Sequence, residues 1–220
     1  MKSIQYVRAF TLATFGVAGL LLASASANAA GYKLADKVGA GIAEFRDEIV
    51  DVKKAVDTTM ASLDKIVADA ASDPRKAFKE FDKSVPEIDS AAAKARKRAE
   101  DMKARGKKYF ETWEKDLGSV NDPDIRKLAE ERKAKLQAAF DNIKTTMEPA
   151  RDQFNAWLGP LKDLQKFLSQ DLTISGIDSA KELIAKSKKE GMAVQQSLDT
   201  VIGELNTVVA AITPAKAQKK

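Results

Sequence analysis

The chain has 220 residues, of which 44% are hydrophobic and 31% charged, enough for one core or two small ones. It contains no histidine and no cysteine, which removes His- and Cys-based nucleophilic catalysis, thiol redox chemistry, disulfides and nearly every zinc site. The formal net charge is +5, and much of the hydrophobic content is alanine (36 residues), with aromatics at only 6%.

The first thirty residues read as a targeting segment. Lys2 and Arg8 form a positive start, an apolar run follows from Ala9 to Leu22, and the small-residue stretch ASASANAA comes next. Ala27-Asn28-Ala29 is an A-x-A cleavage site, so cleavage is expected between Ala29 and Ala30. The rival reading is an uncleaved anchor, since Ala9 to Ala30 nearly reaches across a bilayer. The short run and its Ser/Asn-bearing distal part favour cleavage, and no cysteine follows to carry a lipoprotein anchor. The expected product is periplasmic or secreted. Without Lys2 and Arg8 it holds 35 bases against 32 acids.

The remainder predicts four helices, at about 34–72, 86–117, 123–169 and 177–213, forming one bundle domain over 30–213. In the first, Ile42, Ile49, Val56, Leu63 and Ala70 recur every seven residues, interleaved with Phe45, Val52 and Ile66. Asp73-Pro74 ends that pattern. Ser84-Val85-Pro86-Glu87 reads as the N-terminus of the second helix, with serine as cap and proline in the first turn. Its stripe is Ile88, Ala92, Ala95, Ala99, Met102, Gly106, Tyr109 and Trp113, and Gly118 is expected to cap it in a left-handed conformation.

Asn121-Asp122-Pro123 opens the third helix, whose stripe runs Ile125, Leu128, Leu136, Ala139, Ile143, Met147, Ala150, Phe154, Trp157, Leu161, Leu164 and Leu168. Pro149 and Gly159-Pro160 lie inside it, and at least the second is expected to kink or break the helix. After the turn Thr173–Asp178 the fourth helix carries the most regular seam: Ile177, Ile184, Gly191, Leu198, Leu205 and Ile212, interleaved with Ala180, Ser187, Val194, Val201 and Val208. Pro214 stops it, leaving residues 214–220 as an expected disordered basic tail.

Long helices joined by short turns pack as antiparallel neighbours, so the fold class is all-α: an elongated antiparallel bundle or coiled coil, roughly 50–65 Å long at ~1.5 Å per residue. Turns near residues 73 and 174 would set Tyr109 and Trp113 against Leu34, Val38, Gly39 and Gly41, and Trp157 against Ser187 and Gly191. Bulky residues would then meet small ones.

No catalytic constellation is visible. The one Gly-Lys pair, Gly106-Lys107, lacks the rest of a phosphate loop, and di-iron bundles need histidines. Adjacent carboxylates such as Glu130 and Glu131 point to different sides of a helix. The aromatic groups Tyr109/Phe110/Trp113 and Phe154/Trp157 suit core packing better than a ligand pocket. No cofactor, metal or small-molecule substrate is indicated.

Charge carries more information. Residues 94–108 hold Lys94, Arg96, Lys97, Arg98, Lys103, Arg105, Lys107 and Lys108 against two acids. The antiparallel stretch 39–53 is net −2 and complements part of that run, whereas 132–146, with Arg132, Lys133, Lys135 and Lys144 against Asp141, does not. A basic band is therefore expected on the side of the second and third helices. It would hold anionic lipid, lipopolysaccharide phosphates or acidic wall polymer by salt-sensitive attraction, or simply keep the surface solvated. Export and the absence of a recognition motif argue against nucleic acid.

Three segments resemble the domain-of-unknown-function 2959 family of exported bacterial helical proteins. Tyr32 with Asp36-Lys37-Val38-Gly39 is similar to its opening Y-x-x-x-[ED]-K-V-G. Phe110-Glu111-x-Trp113-Glu114-x-Asp116-Leu117 is similar to F-x-x-W-E-x-E-L, and Met147-Glu148-Pro149 with Phe154 and the following leucines to its M-E-P run. Two features depart from that pattern: the lipoprotein cysteine common among relatives is missing, and Phe167–Ile174 replaces the usual K-H-N-L-N-A. The resemblance implies an exported coiled-coil bundle and supplies no activity, because the family has no established one. The expected role is non-enzymatic: an envelope scaffold or interaction module with a protein partner or self-association. The alternatives are a holdase-like chaperone and a peripheral binder of anionic lipid or wall polymer.

Overall fold

The structure, a computed structural model, describes residues 21–213. Four helices fill it: α1 Leu21–Ala68, α2 Arg75–Leu117, α3 Pro123–Gln170 and α4 Ile174–Ile212. Neighbouring pairs are α1/α2, α2/α3, α3/α4 and α4/α1, so the chain closes a four-sided antiparallel bundle in which α2/α3 is the loosest join. The all-α expectation holds. Most of the targeting segment and the basic tail lie outside the described residues, and the A-x-A site falls within the first turns of α1. No helix among the described residues is long and apolar enough to cross a membrane.

The heptad reading of α4 places the core residue by residue. All eleven seam positions from Ile177 to Ile212 are buried, including the small Gly191 and Ser187. Opposite them lie Ile42, Phe45, Val56 and Leu63 of α1 and Leu161, Leu164 and Leu168 of α3, all buried. Size complementarity is as expected for Trp157, whereas Gly39 faces Ile212 and Thr213 and Gly41 faces Arg105 rather than the Tyr109/Trp113 pair. The Trp157 indole donates to the Ser187 carbonyl at 2.7 Å, and a Cβ on Gly191 would sit 3.4 Å from the Trp157 ring and 2.5 Å from Met60 Sδ. Tyr109 and Trp113 share a hollow with Leu34 and Ala35 at the far end.

Several local expectations need correction. α2 begins at Arg75 rather than near 86, with Pro86 inside it. Proline removes the donor that the carbonyl four residues earlier would use. That carbonyl, of Asp82, instead accepts from the Gln165 amide of α3 at 3.0 Å, and the helix continues. Ser84 is no cap: its hydroxyl is buried, donates to Phe81 O and accepts from Thr59 of α1. Gly118 is right-handed (φ −59°), and α2 ends instead through turn bonds from Gly118, Ser119 and Val120 N–H groups. Arg126 covers the Val120 carbonyl.

α3 runs unbroken through Pro149 and Pro160 because burial on both sides, from Ala150 to Leu168, outweighs the lost backbone bonds. Its first turns carry Ile125 and Leu128 exposed (57% and 68%), not in the core. Asp122 caps this end through Asp124 and Ile125 N–H groups.

The last turn explains Gly176. Thr173 caps α4 by accepting from the Gly176 N–H, and the Thr173 hydroxyl and N–H hold the Asp171 carboxylate below its ordinary range. A Cβ on Gly176 would lie 2.5 Å from the Asp171 backbone oxygen. Gly176→Ala is expected to destabilise by about 1–2 kcal/mol in chemical denaturation. Gly203→Ala, where nothing lies within 4 Å, should instead stabilise by about 0.5–1 kcal/mol.

Candidate functional site

The four sides of the bundle are closed by different means. On the α1/α4 side, facing polar residues complement one another: Lys53 pairs with Asp199 at 2.6 Å, Lys188 with Asp64, Gln195 with Asp57, and Arg46 with Asn206 at 3.2 Å. The α1 partners at 46, 53, 57 and 64 and the α4 partners at 188, 195, 199 and 206 are spaced by seven, four and seven, as residues flanking a packed seam are. On the α1/α2 side Arg98 reaches both Glu44 (3.2 Å) and Glu48 (3.6 Å), and Arg105 approaches Glu44 at 3.7 Å. Lys65 pairs with Glu80 nearer the turn.

The α2/α3 side is joined only near its ends. At one end Phe110 and Phe140 stack edge to face with centroids 5.3 Å apart, Gly106 lets Phe140 come close, and Lys133 pairs with Glu114. At the other, Asp89 pairs with Lys162 and Gln165 donates to Asp82. Between these clamps no hydrogen bond or ion pair joins the two helices among the described residues. A groove of about 610 Å³ opens there.

The groove follows from side-chain size. α2 contributes Ala92, Ala95, Ala99 and Gly106, which leave space that Ile143, Met147 and Phe154 of α3 do not fill. Its floor is the far side of the core, Phe45, Ile49 and Val52 of α1 with Leu198 and Val201 of α4. Its lips are polar. α2 supplies Arg96, Lys103, Lys107 and Glu111, and α3 supplies Gln137, Asp141, Lys144, Glu148, Arg151 and Asn155.

The register set by the two clamps brings Lys103 level with the 144–148 turn and Arg96 level with 151–155, to within about a turn. Cations therefore line both lips at the same height: Lys103 with Lys144, Arg96 with Arg151. Their counter-charges are local and exposed. Lys103 pairs with Glu100 at 2.8 Å, Lys144 with Glu148 at 4.0 Å, and Arg151 with Asp152 at 2.9 Å. Such pairs hold their charges weakly. Arg96 donates to its own helix at Ala92 O.

The structure divides the predicted basic band into separate surfaces. Arg96, Lys103 and Lys107 line the groove, while Arg98 and Arg105 turn to the acids of α1. Lys94, Lys97 and Lys108 are exposed on α2 and Lys135 on α3. Lys133 is drawn to Glu114, and Arg132 donates to Ala211 O at 2.6 Å, tying α3 to the end of α4. Lys144 belongs to the expected band, whereas Arg151, beyond residues 132–146, completes the second lip. Its seven-residue spacing from Lys144 was the available signal.

The aromatic groups split as well. Trp157 is core, at 1% exposure, whereas Phe110 and Phe154 also form the groove ends. Burial raises the Tyr109 phenol above its ordinary pKa, with Arg132 opposing, so Tyr109 serves as a neutral packed ring against Phe110 and Trp113.

The first two family-like segments converge in space. Tyr32 of the opening motif and Trp113 of the second line the same hollow at one end of the bundle. No curated protein and no solved structure matches the chain. The family described as "Protein of unknown function (DUF2959)" matches residues 25–212, and the chain belongs to that family.

Proposed function

We propose that this protein is a non-enzymatic, periplasmic interaction module of the cell envelope that binds anionic partners through its α2/α3 face. The observation that carries the reading is the contrast between opposite sides of the bundle. The α1/α4 side is closed by complementary polar pairs, while the α2/α3 side stands open with cations on both lips. The seam of α4 is consumed within the chain, since every one of its positions is buried. A partner of the bundle's middle must then use a different surface, and the α2/α3 face offers it both apolar area and cations.

Salt-dependent attraction to an anionic envelope surface follows from that charge. The purified chain is expected to co-sediment with vesicles containing phosphatidylglycerol at low salt, to be released as salt rises, and to ignore phosphatidylcholine vesicles. Replacing Arg96, Lys103, Lys144 and Arg151 with glutamine should abolish sedimentation without loss of helical circular dichroism. Binding retained by that variant would remove the face from the reading. Stoichiometric suppression of aggregation of an unfolded outer-membrane protein, without vesicle binding, would replace it by a holdase role.

A further inference from the structure

We propose that the α2/α3 groove is a binding site for a single-chain anionic amphiphile: one acyl chain bearing a carboxylate or phosphate head. The inference rests on the face identified above and names its ligand class. Both halves of such a molecule have a counterpart.

The hydrocarbon half meets a groove of about 610 Å³, within the range of small-molecule sites. It extends along α2 from Ala92 to Phe110, about 27 Å at ~1.5 Å per residue, so it is long and narrow rather than round. Its floor is the buried apolar core, and its α2 wall is mostly alanine and glycine, with the flexible Met102 as the one longer apolar side chain between Ala99 and Gly106. A linear chain fits that shape better than a fused-ring ligand or a polypeptide helix. A helix needs about 10 Å of width, and the Phe110–Phe140 contact closes one end.

The acidic half meets the facing lip cations. Lys103 and Lys144, or Arg96 and Arg151, approach from opposite helices, so one anion between them would bridge the lips and relieve like-charge repulsion. Of the three lip acids, Glu111 and Asp141 lie toward the Phe110 end and Glu148 pairs with Lys144, which leaves the Arg96–Arg151 end the more cationic. The head is therefore placed at that end, with the chain running toward Phe110 and Phe140. A neutral or cationic amphiphile would gain the apolar contact and lose the electrostatic one.

The test is fluorescence titration of the purified full chain with cis-parinaric acid below its micellar concentration, followed by competition. One saturable site per chain is expected. Oleate and a monoacyl phosphate should displace the probe, and methyl oleate and a long-chain trimethylammonium should be weaker by about tenfold or more, as two surface charge contacts would give. Displacement by methyl oleate as effective as by oleate would overturn the role of the lips.

Ala95→Leu with Ala99→Leu fills the groove and should remove parinarate binding while leaving the helical circular dichroism of the parent. Undiminished parinarate binding in that variant would place the ligand elsewhere and sink the proposal. If the double variant does not fold, the competition series on the parent chain decides alone. Vesicle binding without parinarate binding would overturn the acyl site and leave the envelope reading standing. Failure of both would remove both.

Discussion

Val194→Asp is expected to lower stability by about 3–5 kcal/mol, because it sets a carboxylate at a position that is fully buried with no basic side chain on the seam to pair it. The position lies in the centre of α4, between Gly191, which admits Trp157 and Met60, and Ser197, which bonds Gln153. A charge there has no route to water except by opening the bundle. For a domain of this size the midpoint of thermal unfolding should fall by roughly 6–20 °C. Met192→Asp, two residues away and half-exposed (52%), is the matched control and should stay within about 0.5 kcal/mol of the parent. Equal effects at the two positions would mean that α4 buries a different face.

The burial of Val194 follows from the regularity of its helix. A seven-residue repeat sustained over five heptads leaves one face for the core, whatever the partner. α4 was legible for that reason, and so were the buried stripes of α1 and the middle of α2. Where the sequence misleads, a long-range contact has replaced a local rule. Pro86 carries the local marks of a helix start, yet α2 continues through it, and Asp82 O, left without its helical donor, accepts from the Gln165 amide of another helix. No signal near residue 86 announces Gln165.

Ile125 and Leu128 obey the helical period, yet no neighbour covers them, because period reports a face and not what lies against it. Ser84 shows the same limit. Its hydroxyl makes the short-range bond to Phe81 O that the local sequence allows, but its role in joining α1 to α2 through Thr59 depends on their register.

The candidate site was half legible. The charges of 94–108 and the shortage of acids on the facing stretch were in the sequence, and so was the complement on α1 that takes up Arg98 and Arg105. The groove was not. A stripe of Ala92, Ala95, Ala99 and Gly106 reads as an invitation to close packing, and the distance between two helices is set by all the pairs along them. Here Phe140 seated on Gly106 at one end and the Asp89–Lys162 pair at the other hold α3 in place while the alanines between them remain unfilled.

Trp157→Ala should cost about 3–5 kcal/mol, the upper range for deletion of a buried aromatic. The ring is at 1% exposure, lies in van der Waals contact with the Gly191 position and is oriented by the indole bond to Ser187 O. Glycine, serine and tryptophan therefore act as one packed unit: the small residues on α4 make the recess that the large one on α3 fills. Truncation leaves that recess empty, and the cost grows with the volume that the surrounding side chains do not refill.

The second tryptophan tests whether burial or residue type sets the cost. Trp113 is only partly buried, at the end where α1 begins, and stacks on Tyr109 at 5.5 Å. Trp113→Ala should cost about 1–2 kcal/mol and should leave the cooperativity of unfolding unchanged. Trp157→Phe separates the two contributions at the first site, keeping most of the ring volume while removing the donor to Ser187. A loss of about 1–2 kcal/mol in that variant, against the larger loss in Trp157→Ala, would assign most of the stabilisation to volume and contact. Losses of equal size would assign it to the hydrogen bond, and the recess at Gly191 and Ser187 would then matter as an acceptor rather than as space.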